Sequence, residues 1–328
     1  MAASTTTLGS AGPATGSRSF LARLREGDEI ARLLTFLFAA SVVIITVLLV
    51  YQLWINSVLP RHKFGFHFFV TQAWDPILDE YGALPFIYGT VITSAVALFI
   101  AVPLGIGAAI FLAELAPPRI SDTLQFFIDL LAAVPSVIYG LLGVFIIVPL
   151  MRVVIAPTLI KTLGFLPIFT GPSYGVGFFT AGIVMAIMVI PYIISVSREV
   201  LLSVPRDQRE AALALGSTRW EATWQVVVPF AKTGIMGSIF LAMARALGET
   251  MAVTMVIGNS PKIAASLFAP GYTIAAVIAN EFTEATGDMY LQSLVYLGLV
   301  LFLLTFLLNG MARLLILATT QKGSKVAS

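Results

Sequence analysis

Two residues of opposite charge stand in an otherwise apolar run of the chain. Arg245 and Glu249 are four residues apart, so on one helix they would share a face. A charge at the centre of a membrane span costs at least ~2.5–3.5 kcal/mol on insertion scales, so two of them require a reason. A guanidinium is a planar fork of donors suited to phosphate oxygens. The pair indicates either an anion site on a transport path or a neutralising structural pair, and Glu249 is expected to hold Arg245 when substrate is absent.

The residues next to this pair fit the transport-path interpretation. Thr250 follows Glu249 directly and is included in the candidate substrate pathway. Ala244, Ala246 and Gly248 are small, which lets a backbone and a ligand approach closely.

Polar residues near a third apolar stretch are weaker candidates. Ser136 follows Pro135, which we expect to bend the span and free backbone groups, so Ser136 is counted in the pathway, although a plain kink explains the two residues as well. Asp129 falls in the first turns of the expected span, where a negative charge is favourable by itself. His62 and His67 have no carboxylate or histidine cluster near them in the sequence, and no cysteine occurs, so no metal site is predicted.

A second concentration of charge lies on a short loop, at about residues 199–232. Pro205 suits the start of a helix, and Gly216 suits the left-handed residue that ends one. The run from Thr218 to Glu221 predicts a capping box. The loop is therefore predicted to be a short helix, a tight turn and a second helix that bends or breaks at Pro229. Its charged residues include Arg206, Asp207, Arg209, Glu210, Arg219 and Glu221.

The composition places both constellations in a membrane protein. Of the 328 residues, 58% are hydrophobic and 11% are charged, with a mean hydropathy of +0.95. A soluble domain has roughly 25% charged residues. The net charge of +2 is too small to imply a nucleic-acid partner. Six stretches are long enough to cross a bilayer: about 33–55, 86–113, 123–151, 177–197, 234–258 and 290–317.

The distribution of Lys and Arg predicts the orientation. Thirteen of the 19 fall on the side of the termini and the charged loop, five fall on the other side, and Arg245 lies within a span. The positive-inside rule then places both termini and the loop in the cytoplasm. The predicted organisation is a mobile cytoplasmic tail (1–32), a first membrane helix with an extracytoplasmic segment (33–85), a core of five membrane helices (86–317) and a cytoplasmic tail (318–328). The function of residues 56–85 stays open.

The charged loop resembles the EAA loop of ABC importer permeases. The resemblance rests on Glu210-Ala211-Ala212, on Gly216 six residues after the glutamate, and on Val228-Pro229, where the family pattern ends in Ile-x-Leu-Pro and this chain has Val-x-Val-Pro. It implies a coupling helix that docks into a groove of an ATPase subunit. The alternative is an amphipathic interfacial helix without a partner. No Gly-x4-Gly-Lys-Ser/Thr motif occurs, so a separate subunit must bind ATP. The ATPase-coupling candidates are Glu210, Ala211, Ala212, Gly216 and Pro229.

The run from Arg245 to Val253 is similar to the permeases of inorganic-phosphate ABC importers. Runs at residues 88–94, 131–140 and 256–259 resemble the same group, so the resemblance covers roughly residues 85–317, and the long leader favours its PstC-like branch. It implies an all-α membrane protein with six transmembrane helices, the type I ABC importer permease fold and a short cytoplasmic coupling helix. It also implies a non-catalytic subunit in the cell inner membrane in which Arg245 and Glu249 serve transport. The implied partners are a PstA-like sister permease, two PstB-like ATPase subunits that bind ATP and Mg, a PstS-like extracytoplasmic phosphate-binding protein, phosphate and membrane lipid.

Three alternatives belong to other classes of cargo or mechanism. The first is an ABC importer permease for another oxyanion, such as sulfate or molybdate. The second is a secondary transporter that uses Arg245 and Glu249 for proton coupling, against which the loop and the lack of inverted-repeat signs argue. The third is an intramembrane enzyme, for which the sequence offers no HExxH motif, no paired intramembrane aspartates and no Ser–His pair within the spans.

Overall fold

The computed structural model describes residues 28–324, with side-chain burial for residues 30–314. The tails predicted at 1–32 and 318–328 lie partly outside this part of the chain. The chain divides into two units, Met1–Gln52 and Leu53–Ser328. The first unit holds most of helix α1 (Asp28–Ile55), whose run Ile30–Ile55 is long and apolar enough to cross a bilayer.

The regular structure described in the second unit, over residues 53–324, is helical apart from one two-stranded antiparallel hairpin, β1 (Trp74–Asp75) with β2 (Glu80–Tyr81). Its α-helices in chain order are α2 (Val58–Phe64), α3 (Leu84–Ile110), α4 (Pro118–Ala132), α5 (Ser136–Leu142), α6 (Val148–Leu150), α7 (Ala156–Leu163), α8 (Phe178–Leu202), α9 (Arg206–Ala214), α10 (Arg219–Ala222), α11 (Val228–Leu247), α12 (Met251–Val256), α13 (Ile274–Glu281) and α14 (Asp288–Ser324). Two 3-10 turns lie at Gly65–Phe69 and Pro167–Phe169.

Four π turns interrupt or end the helices, and each ends two residues before a proline. They are Phe111–Leu115, Gly143–Ile147, Met151–Ile155 and Thr223–Val227, which precede Pro117, Pro149, Pro157 and Pro229. A proline has no backbone N–H, and its ring clashes with the carbonyl four residues earlier. A wider turn at that point relieves the clash, so at the last three of these prolines the helix continues.

The expectation of six membrane helices in an all-α fold is confirmed. The candidate spans are Ile30–Ile55, Leu84–Leu115, Ser136–Leu163, Phe178–Leu202, Arg219–Leu247 and Asp288–Leu314. Two predicted boundaries were wrong. The third span begins at Ser136 rather than near 123, because Pro135 separates α4 from α5. The fifth span covers Arg219–Leu247 rather than 234–258, because α11 ends before Gly248 and the chain restarts in α12.

The centre of the second unit is the pair α3 and α8, which contact each other at small residues. A Cβ added at Gly105 would lie 2.7 Å from Ile193, and one added at Gly182 would lie 2.4 Å from Val96. Small residues at these positions let the two helices approach closely, as in many membrane bundles. The buried cluster around them is apolar and includes Ala97, Ala101, Met185, Met188, Val189 and Ile193.

The first turns of α3 lie against an aromatic cluster built from residues 64–86 and 272–300. The carboxylate of Glu281 accepts hydrogen bonds of 2.8 Å from Trp74 Nε1 and from the Tyr290 hydroxyl. Tyr81 is fully buried beside them, and burial, with the neighbouring Asp79, raises the pKa of Tyr81 to about 12. The charged loop lies near the opposite end of α3, as the contacts of Glu114 show below.

Candidate functional site: the charged loop and the break after Arg245

Helix α9 of the charged loop begins directly after Pro205 and ends in a Schellman motif. Gly216 has a φ of +90°, in the left-handed region. The Gly216 N–H donates to the carbonyl of Leu213 (3.0 Å), and the Ser217 N–H donates to that of Ala212 (3.2 Å). These two bonds satisfy carbonyls that the helix end would leave free. The predicted helix end at Gly216 is confirmed.

The second helix of the loop opens with the predicted capping box. The Glu221 N–H donates to Thr218 Oγ1 (3.3 Å), and Glu221 Oε2 accepts from the Thr218 N–H (2.8 Å). A bend or a break was expected at Pro229, and the break does not occur. The π turn before the proline carries α10 into α11, so the loop and the fifth span form one continuous helix, Arg219–Leu247.

Arg209 attaches the loop to the rest of the unit. Its Nη2 lies 2.8 Å from Glu114 Oε1, and its Nε lies 3.2 Å from both Glu114 oxygens. The same guanidinium donates to the carbonyls of Leu201 (2.7 Å) and Val204, at the end of α8. The Arg209 and Glu114 side chains are 20% and 10% exposed, so this is a largely buried, bidentate ion pair. The sequence showed both charges, but nothing in it indicated that residues 95 positions apart would pair.

Two crevices flank this ion pair, one on each side. The larger, of about 370 Å³, is lined by Arg206, Glu210 and Leu202 as well as by the pair, and the smaller, of about 210 Å³, by Leu213, Arg219 and Thr223 as well. Arg209 and Glu114 therefore contribute to the lining of both crevices.

The coupling candidates differ in exposure. Glu210, Ala211, Gly216 and Pro229 are exposed, whereas Ala212 is 8% exposed and faces the chain itself. Of the two alanines, only Ala211 offers its side chain to a partner. The loop also exposes an apolar surface of Leu215, Trp220 and Trp224, in which the two indoles meet edge to face at 5.6 Å.

Arg245 and Glu249 do not share a helical face, contrary to the expectation from their spacing. Arg245 lies in the last turn of α11, which ends at Leu247 with Gly248 at the cap. Glycine has low helix propensity, and the chain restarts only at α12. Glu249 Oε1 accepts from the N–H of Ala252 (3.3 Å), at the start of that short helix. Among the described side chains, those of residues 30–314, the ion pairs shorter than 4.0 Å involve Arg198 and Arg209, so the expected link between Glu249 and Arg245 is absent.

The guanidinium of Arg245 lies over an aromatic ring instead. Its Cζ is 4.4 Å from the ring centroid of Tyr192 on α8, a cation–π contact. Its Nε is buried and has no hydrogen-bond partner in the described part of the chain. The free N–H of a half-buried arginine is a donor that an anion's oxygen could accept from.

Ser136 and Thr250 lie at the same end of two adjacent helices. A Cβ on Gly140 of α5 would lie 3.1 Å from Ala252 Cα of α12, and one on Gly143 would lie 2.7 Å from Val256. Later residues of α5 thus meet later residues of α12, so the helices run in the same direction. The parallel direction places the first residues of the two helices at the same end. Ser136 has no described side-chain hydrogen bond. Thr250 Oγ1 donates to the Gly248 carbonyl (3.3 Å).

Asp129 lies near the end of α4 rather than near the start of a span, so the helix-start interpretation is wrong. Its Oδ1 accepts from Gln125 Nε2 (2.7 Å) and from the Ser195 hydroxyl of α8 (2.8 Å). In residues 28–324, no group of three or more His, Cys, Asp or Glu side chains is arranged to hold a metal ion.

Comparison with known proteins identifies a family to which the chain is similar. Residues 101–320 match the model of the binding-protein-dependent transport system inner membrane component. A relative from Mesorhizobium japonicum, phosphate transport system permease protein PstC, is 46% identical over 285 residues, covering 85% of this chain and 87% of the relative. A protein of the same name from Pasteurella multocida is 50% identical over 263 residues, covering 79% and 82%.

One solved structure shares the fold. It is a bacterial ABC transporter involved in the import of the acidic polysaccharide alginate, with a TM-score of 0.56 at 16% identity, covering 89% of this chain and 98% of that one. At this identity the likeness concerns the fold alone, and it agrees with the type I ABC importer permease fold expected from the sequence.

Proposed function

This chain belongs to the family of binding-protein-dependent transport system inner membrane components, and we propose that it moves inorganic phosphate into the cytoplasm as the permease subunit of an ATP-driven importer. It is a multi-pass inner membrane protein and a non-catalytic component, because the family works with an ATPase and a substrate-binding partner. The two PstC relatives, each matched over more than three quarters of its length, support phosphate as the cargo.

The observation that carries the proposal is the state of Arg245. Its guanidinium lies over Tyr192, its Nε has no described partner, and Glu249 is turned to the N–H of Ala252. A charge in a membrane span without an ion-pair partner is costly, and such residues commonly mark a substrate pathway. We assign Arg245 to phosphate binding, with Glu249, Thr250 and Ser136 on the same path.

The charged loop supports the mechanism of coupling. Glu210 and Ala211 form its outer face, Gly216 sets its turn, and Pro229 lies where the loop helix enters the span. We propose that two PstB-like ATPase subunits dock on this surface and that ATP-driven closure displaces the loop. A PstA-like sister permease and a PstS-like phosphate-binding protein complete the complex, with both termini in the cytoplasm and residues 86–317 as its core.

The arrangement speaks against a secondary transporter. Proton coupling requires side chains that exchange a proton, and the guanidinium of Arg245 keeps its proton, while Glu249 accepts from the N–H of Ala252. An ATP-driven importer needs no such exchange. Another tetrahedral oxyanion would meet the same guanidinium, so the cargo has to be tested by competition.

The test uses the complete complex in proteoliposomes, with labelled phosphate outside and ATP inside. Arg245→Gln removes the charge, and we expect uptake to fall to background while the complex still assembles. Lys232→Gln is the matched control, because Lys232 is an exposed cation on the same helix α11. Uptake at the normal rate in Arg245→Gln would assign the arginine a structural role. Failure of the wild-type complex to accumulate labelled phosphate would overturn phosphate as the cargo, and competition by sulfate or molybdate at equal concentration would show that the site is not selective for phosphate.

A further inference from the structure

We propose that α4 connects the charged loop to Arg245, and that Tyr192 is the positioning residue at the junction. The proposal rests on the transport function above, since it concerns how displacement of the loop reaches the anion site. It does not depend on which oxyanion is carried.

The N-terminal end of α4 is held where the charged loop meets the second span. Glu114, three residues before Pro117, pairs with Arg209 of the loop. Arg198 of α8 bonds to Ser121 Oγ (2.9 Å) and to Asp122 (3.2 Å) in the first turns of α4. A displacement of α9 thus acts on the segment that leads directly into α4.

The C-terminal end of α4 is held next to the proposed anion site. The Tyr192 hydroxyl donates to the carbonyl of Ala132 (3.0 Å), and the Tyr139 hydroxyl donates to that of Leu131 (2.7 Å). The Ala132 carbonyl is one that a helix end leaves without an intrahelical partner, and the Leu131 carbonyl also accepts from the Val134 N–H (3.2 Å) beyond the helix. The ring of the same Tyr192 carries the Arg245 guanidinium. One side chain therefore touches both the end of α4 and the charge that binds the anion.

Contacts spaced along α8 support α4 over its whole length. Tyr192, Ser195 and Arg198 follow each other at intervals of three residues, so they lie near one side of α8. They contact α4 at its end (Ala132), its middle (Gln125) and its start (Ser121), so the two helices run in opposite directions. Prolines bound α4 on both sides, which separates its motion from that of the flanking spans. A 15-residue helix is about 22 Å long, enough to join two distant sites as one body.

Arg245 thus has two supports that both lead to the loop. Its backbone belongs to the continuous helix that starts at Arg219, at the second half of the loop. Its guanidinium lies on Tyr192, which α4 connects to the first half of the loop through Glu114. If the two halves of the loop move relative to each other, the Arg245 guanidinium changes its position over the Tyr192 ring. The conformation of the loop is thereby linked to anion binding by Arg245.

The test separates the hydroxyl of Tyr192 from its ring. Tyr192→Phe keeps the ring under Arg245 and removes the bond to Ala132. In proteoliposomes holding the full complex, we expect ATP hydrolysis to persist while phosphate imported per ATP falls about threefold to tenfold, the range of a lost neutral hydrogen bond. Tyr88→Phe is the matched control, since the Tyr88 hydroxyl also donates to a carbonyl, that of Ala264 (2.8 Å). It should leave the ratio at the wild-type value.

A double-mutant cycle with the loop decides whether the two ends communicate. Arg209→Lys keeps the charge and loses the bidentate geometry with Glu114. Distant residues without shared partners act additively, so a non-additive effect of Arg209→Lys and Tyr192→Phe on the transport ratio supports the proposal. Additive effects, or a normal ratio in Tyr192→Phe, would overturn it. Failure of the wild-type complex to import phosphate would instead refute the proposed function, so the two failures are distinguishable.

Discussion

Replacement of Gly216 by alanine tests the loop geometry at a single backbone angle. A Cβ at Gly216 meets nothing within 4 Å, so no steric clash contributes to the effect. The φ of +90° is unfavourable for an L-residue by about 1–2 kcal/mol. Alanine also restricts the unfolded chain, which offsets about 0.4–1 kcal/mol. The net cost of holding the Schellman turn is therefore about 0–1.6 kcal/mol, with a midpoint of about 0.8 kcal/mol.

That cost should appear in the docking of the ATPase subunits, which need the loop in one conformation. Titration of the ATPase onto the permease complex in nanodiscs should show affinity for Gly216→Ala lowered about twofold to tenfold. Gly216→Asn should lose less, because asparagine tolerates left-handed angles. Gly237→Ala is the matched control, since Gly237 lies inside α11 with nothing within 4 Å of an added Cβ. Equal affinities for wild type, Gly216→Ala and Gly216→Asn would refute the reasoning.

Two further predictions concern the loop surface and the packing of α3. Glu210→Lys reverses an exposed charge on the proposed docking face, so the ATPase should no longer co-purify while membrane insertion is unchanged; normal co-purification would remove Glu210 from the interface. Gly89→Ala would place a Cβ 2.0 Å from the Tyr272 carbonyl oxygen, and we expect destabilisation by about 1–3 kcal/mol or more in thermal unfolding. Gly107→Ala, on the same helix with open space around it, should unfold like wild type, and an equal loss in both variants would contradict the packing argument.

The sequence predicted features whose cause is local. The capping box at Thr218 and the helix end at Gly216 depend on residues within one turn, so their types and spacing were sufficient. Hydropathy located the spans but not their breaks. The composition of an apolar run is the same whether its helix continues or stops at Gly248. For that reason the sequence could not predict that Glu249 points away from the face of α11 that carries Arg245.

Contacts between distant residues were beyond the sequence. Arg209 pairs with Glu114, and Arg245 lies over Tyr192, only because the fold brings α3, α8 and the loop together. A tyrosine in an apolar run carries no signal of a cation above its ring. Prolines were equally ambiguous: Pro135 separates two helices, whereas the helix continues through Pro229 after a π turn.

The indole pair of Trp220 and Trp224 gives the loop an optical property of its own. The sequence has four tryptophans, and the other two, Trp54 and Trp74, lie outside the loop. Both loop indoles are about half exposed and meet edge to face, so a protein surface that covers the loop replaces water around both at once. Their fluorescence and near-ultraviolet circular dichroism respond to the polarity and geometry of that environment. The loop thus contains an intrinsic spectroscopic probe, which needs no added label.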